Sequence, residues 1–126
     1  MFMRRNASGV AIYYLLVGEG CCACLGGSNV VVYTAGSAMG PYVRQGDVGS
    51  NRTPFDKASP YNYVTRAQGT KVVPVGDQWL WMGNQWVTAT APGRPRNRDL
   101  LAWYLLEFND AGVIQQLVYT TETILR

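Results

Sequence analysis

The sequence predicts an all-β chain, and three observations carry that expectation. Fourteen Gly and six Pro are spread through 126 residues, which implies many turns. Aromatic residues reach 12% while charged residues stop at 15%. Such a chain has apolar surface to bury, whereas a disordered chain is poor in aromatics and rich in charge. Third, short runs of β-branched and aromatic residues alternate with Gly, Pro, Asn and Asp clusters, and no helix signal of useful length interrupts them. The length alone suits one domain rather than two.

Taken in order, Ala11 to Val17 is a short apolar run of β-formers bounded by Gly9 and Gly18, and reads as a buried strand. Asn29 to Thr34 reads as the second strand, with Cys21 to Gly27 as the connection. Gly36 to Tyr42 is turn chemistry. Val43 to Arg66 holds no sustained period and reads as a long irregular loop, the kind that is usually functional or at a domain edge. Thr70 to Val75, the turn Gly76-Asp77 and Gln78 to Gly83 form a second hairpin, and Gln85 to Thr90 either continues it or stands as a short separate piece. Ala91 to Arg98 is a loop. Leu100 to Phe108 is an apolar strand, Asn109 to Gly112 a hairpin turn, and Val113 to Thr120 is expected to pair back. Three hairpin-like units with long connections suit a propeller or a sandwich.

The net charge is only +3. Nine of the eleven cations are Arg, scattered apart from Arg4-Arg5 and Arg94, Arg96 and Arg98. A nucleic-acid binder concentrates its cations on one face, so no nucleic-acid partner is expected. The longest apolar stretch, Gly9 to Gly18, is about half of what spans a bilayer, so no membrane partner is expected either. Met1 to Arg5 carries charge but is not followed by a proper apolar core and small-residue cleavage site, so it does not read as a secretory leader.

There is no histidine. That removes the commonest general base and the commonest zinc ligand, so no Ser-His-Asp or Cys-His site arises from this chain alone. The three cysteines sit together as Cys21-Cys22-Ala23-Cys24. They lack the second pair that a zinc site needs, and Gly26-Gly27 argues against a helix opening there as in a redox motif. A local disulfide, or a bond to a cysteine elsewhere, is the plainer reading. Two Asn-x-Ser/Thr sequons, Asn6-Ala7-Ser8 and Asn51-Arg52-Thr53, point with the cysteines toward an extracellular or secretory setting. Pro54 makes the second a poorer acceptor.

Several phrases, in order, carry a family resemblance. Met1-Phe2-Met3-Arg4-Arg5-Asn6 leading to Tyr13-Tyr14-Leu15-Leu16 resembles the phrase P-x-x-F-x-R-x-G-x-Y-Y-L of glycoside hydrolase family 43, which opens a blade of a five-bladed β-propeller. Ser28 to Tyr42 looks like the next strand and its Gly-Pro-aromatic turn. Ala67-Gln68-Gly69-Thr70 resembles the S-Q-x-T phrase of the branch that includes galactan 1,3-β-galactosidases. Trp81 to Trp86 looks like that branch's Y-M-G-D-R-W, and Trp103 to Phe108 followed by Gly112 like its W-L-P-L-E-F…G. The chain departs from the pattern at Asn84-Gln85, at Leu105 and in the cysteine cluster. At roughly 40–50 residues per blade, the chain would hold about two to three antiparallel blades, the C-terminal part of a larger propeller with its N-terminal blades absent.

The resemblance implies an inverting hydrolysis of a β-galactan-type polysaccharide, with no cofactor and no metal. Inversion needs one carboxylic acid for the leaving oxygen and a base for the attacking water. The family's general acid falls just upstream of Met1, and its other carboxylates come from earlier blades. This chain alone is therefore expected to be inactive. The resemblance places Gln68 against the reactive water, as an unusual base through its imidic acid form. On the residues alone, Gln68 reads equally as a backbone hydrogen-bonder at a strand start. Trp86, Glu19 and Asn84 are the candidate substrate-binding positions, Glu19 for its place beside the cysteine loop. The plainer reading of Glu19 is an exposed loop carboxylate. Glu107 reads as a buried structural partner for Arg94 or Arg98. Trp79 and Trp81, two apart on a strand, share a face, and most of the tryptophans are expected to pack the core. A small secreted carbohydrate-binding β-domain without catalysis is the alternative, and a β-domain with no ligand a third.

Overall fold

A computed structural model describes residues 1–19, 28–49, 67–85, 100–118, 123 and 125. It is all-β and antiparallel, with no helix among the described residues. The first sheet is a meander of β1 (Phe2–Arg5), β2 (Ala11–Glu19), β3 (Asn29–Ala35) and β4 (Val43–Asp47), adjacent in that order. The second is a meander of β5 (Gln68–Val75), β6 (Gln78–Gln85) and β7 (Leu100–Leu105).

The strands form where the apolar alternation is strongest. Val30, Val31 and Val32 in β3 are all buried, and β-branched side chains suit the pleated backbone. β1 and β4 stand where no strand was expected. Each is short, and β4 reads Val-Arg-Gln-Gly-Asp, with one apolar residue. An edge strand needs one neighbour only, and its exposed charges discourage further pairing, so its sequence looks like loop.

The two sheets meet through one face each. Phe2 stacks on Tyr14 with ring centroids 4.9 Å apart and on Trp79 at 4.5 Å, while Phe108 meets Phe2 and Tyr14 edge-on. Leu16, Val30 and Val32 from the first sheet join Trp81, Ala102 and Tyr104 from the second in the same core. Trp79 and Trp81 do share a face, and both pack here.

The segment after β7 closes this core. The turn Asn109–Gly112 forms as expected, held by Asn109 and Gly112 backbone bonds. The strand expected to pair back from Val113 does not follow. Among the described residues, an isolated bridge, Phe108 with Ile114, is what joins the two arms; Tyr119 and Thr120 lie outside them. Instead Ile114 and Leu117 turn inward to the core, and the Leu117 N–H donates to the Val48 carbonyl at 2.8 Å. Their spacing of three is wrong for a strand, whose inward residues fall at every second position. Glu107 is exposed rather than buried, because the apolar strand ends at Leu105; Arg94 and Arg98 lie outside the described residues.

The opposite faces are apolar at their centres, with Arg5, Glu19, Arg44 and Asp47 at the margins of the first sheet and Lys71 on the edge strand of the second. On the first they carry Tyr13, Leu15, Val17, Val31 and Tyr33, half-buried or buried. On the second they carry Val73, Leu80, Met82, Leu101, Trp103 and Leu105, of which Leu101 is 56% and Trp103 45% exposed.

Candidate functional site

Of the expected site residues, Gln68, Asn84 and Glu19 lie at one end of the two sheets. Gln68 is the first residue of β5 and faces Asn84 of β6 in register. Between Gln68 and Lys71 the ladder shifts by one residue, a bulge that re-aims the start of β5. Gly69 and Gly83 make this crossing possible. A Cβ on Gly69 would sit 2.8 Å from the Gly83 Cα and 2.9 Å from the Met82 carbonyl oxygen. A Cβ on Gly83 would sit 2.5 Å from the Trp81 ring. The backbones touch here because neither strand carries a side chain at the contact.

Ala67, fully buried, accepts a hydrogen bond from the Ser28 N–H at 3.0 Å. That bond ties the entrance of β5 to the entrance of β3. Asn29, one residue on from Ser28, faces Glu19 in register across β2 and β3. Its Nδ2 donates to Glu19 Oε2 at 3.2 Å. Glu19 is exposed at the end of β2, as its residue-level reading held, yet it is held by this amide. Asn29 itself is only 5% exposed, and its Oδ1 is buried without a hydrogen-bond partner among the described residues.

Sequence reasoning missed Asn29. It reads as an ordinary polar residue opening a strand, and no local pattern marks it as buried. Trp86 lies outside the described residues, as do the three cysteines, the second sequon and the Arg94–Arg98 loop. Asn84 is exposed and Gln68 half-buried.

The set is one carboxylate and three amides. It offers neutral donors and acceptors with a single negative charge, which suits hydroxyl groups better than phosphate or a hard cation. Among the described residues, no group of three or more carboxylates, cysteines or histidines could hold a metal ion. Inverting hydrolysis needs two carboxyl groups across the scissile bond. Asp47, the carboxylate ending β4, is already engaged by Arg44. No protein-family model matches this chain, and no curated protein matches it.

Proposed function

We propose that the chain is part of the five-bladed β-propeller of an inverting glycosidase similar to glycoside hydrolase family 43, acting on a β-galactan-type polysaccharide outside the cell or in the secretory pathway. One observation carries this reading: both sheets are apolar at the centre of both faces, with the outer-face charges confined to edge strands and strand ends. A free two-sheet sandwich turns polar residues outward along each strand. A sheet layered between two neighbours needs apolar residues on both sides, as a propeller blade does. Two meanders consecutive in the chain and packed face to face suit adjacent blades.

In this reading the polar end faces the propeller axis. Gln68 orients the attacking water, Glu19 and Asn84 bind sugar hydroxyls, and Trp86 offers a stacking face by its place in the motif. The acid and the remaining carboxylates come from other blades, so the chain alone does not turn over substrate.

The test is the reading frame upstream of Met1 and the protein it encodes. A Glu within a few codons and further blade-like hairpins are expected, and the extended protein should release galactose with inversion, read by NMR. Gln68→Ala should then abolish kcat. An in-frame stop immediately upstream, with a monomeric chain that melts cooperatively, overturns the reading.

Trp103 favours the second reading, a secreted carbohydrate-binding module. It stands 45% exposed beside Leu101 on a flat sheet face, where an aromatic ring can stack on a sugar. Tryptophan fluorescence titrated with galactan oligosaccharides tests it; no shift at millimolar sugar sinks it.

A further inference from the structure

We propose that Asn6 is an acceptor for an N-linked glycan, displayed at the tip of the β1–β2 hairpin. The sequon Asn6-Ala7-Ser8 is the turn itself, between Arg5 at the end of β1 and Ala11 at the start of β2. The Asn6 N–H donates to the Val10 carbonyl at 3.0 Å, and the Gly9 N–H donates to the Asn6 carbonyl at 2.9 Å. Asn6 Oδ1 accepts two further bonds, from the Ser8 N–H at 3.1 Å and the Val10 N–H at 2.9 Å.

Those two donors decide which end of the amide faces the turn. Backbone N–H groups can meet only the oxygen, so Nδ2 is the end turned away. Among the described residues no acceptor takes a hydrogen bond from Nδ2. Asn6 is half-buried, and Ala7, Ser8, Gly9 and Val10 are all exposed. The tip is fixed by the Ala7 N–H, which donates to the Asp110 carbonyl at 3.2 Å and docks it on the turn after β7, and by Arg5 Nη1, which donates to the Gly9 carbonyl at 2.7 Å. The motif therefore stands in the surface loop that a glycan requires, with its hydroxyl residue two positions on.

The donor is an oligosaccharide on a polyprenyl diphosphate, and the catalyst a transferase of the secretory pathway. Nδ2 bonds to the anomeric carbon. The bond from that carbon to the diphosphate oxygen breaks, the diphosphate leaves with the electron pair, and one Nδ2 proton passes to a base of the transferase. This assignment does not depend on the glycosidase reading.

The test directs the full chain into the endoplasmic reticulum of a eukaryotic host with a cleavable leader. Lumenal protein is treated with peptide N-glycosidase in heavy-oxygen water and mapped by mass spectrometry. One glycan should be released, with Asn6 converted to labelled Asp. Asn6→Gln and Ser8→Ala should each remove the modification, and Asn51→Gln should keep it. Ser8→Ala retains the backbone N–H on Oδ1, so its effect separates loss of the acceptor motif from loss of the turn. Lumenal protein with Asn6 unmodified, or with a glycan on Asn51 alone, overturns the proposal.

Discussion

Tyr14 is fully buried, and its hydroxyl donates to the Gly112 carbonyl at 2.6 Å, pinning the turn after β7 to the first sheet. Burial raises its pKa from 10.0, outweighing the charge and hydrogen bond of Arg4, which lower it. With the folded-state value raised, the unfolded chain loses its proton first as pH climbs. The contribution is complete below pH 10.0 and is lost as pH rises through the folded value. Urea midpoints should therefore fall above that pH, and Tyr14→Phe should flatten this alkaline limb. At neutral pH the same change strands the Gly112 carbonyl and should cost about 1–3 kcal/mol in urea denaturation. Gly83 makes a second residue-scale prediction. Its missing Cβ would lie 2.5 Å from the Trp81 ring, so Gly83→Ala overpacks the crossing behind Gln68 and should cost about 1–3 kcal/mol by the same measurement.

At the scale of elements, β1 is four residues long and anchored chiefly by Phe2, with Arg4 lying over the Phe108 ring at 4.4 Å. Phe2 contacts Tyr14, Trp79 and Phe108, so it joins both sheets. Phe2→Ala should cost about 3–5 kcal/mol in denaturant unfolding, far more than Met3→Ala on the opposite face. Strands β2, β3, β5, β6 and β7 were legible in the sequence because alternation and turn residues are local signals. β1 and β4 were not, because each is short and carries charge, too little alternation to mark a strand without the neighbour it pairs with. The stretch after Gly112 misled for the opposite reason. Val113 to Val118 has strand-forming composition, yet Ile114 and Leu117 gain more by sealing the core between the sheets than by extending a hairpin. For the candidate site, Gln68, Asn84 and Glu19 were named from motif and chemistry, whereas Asn29 enters only through its partner across the strand and its burial, which no local pattern encodes.

For the whole molecule, the apolar outer faces set behaviour in solution. Leu101 and Trp103 stand exposed together on the outer face of the second sheet, and adjoining exposed apolar side chains favour association. The chain expressed alone should self-associate in sedimentation velocity, increasingly with concentration. Replacing Leu101 and Trp103 together by Lys should move it toward monomer with little change in unfolding midpoint, since neither belongs to the core between the sheets.

By itself the sequence determined the class and the placement of most strands, because period, turn chemistry and β-propensity act over a few neighbouring residues. It also determined the absence of histidine and hence the kinds of chemistry available. Only the tertiary structure decided which face of each sheet turns inward, and that the other face is apolar at its centre as well. It alone brought Glu19 and Asn29 to the same end as Gln68 and Asn84, through the bond from Ser28 to Ala67. Residues 28 and 67 lie far apart along the chain, and no local pattern encodes a contact whose formation depends on two sheets first packing together.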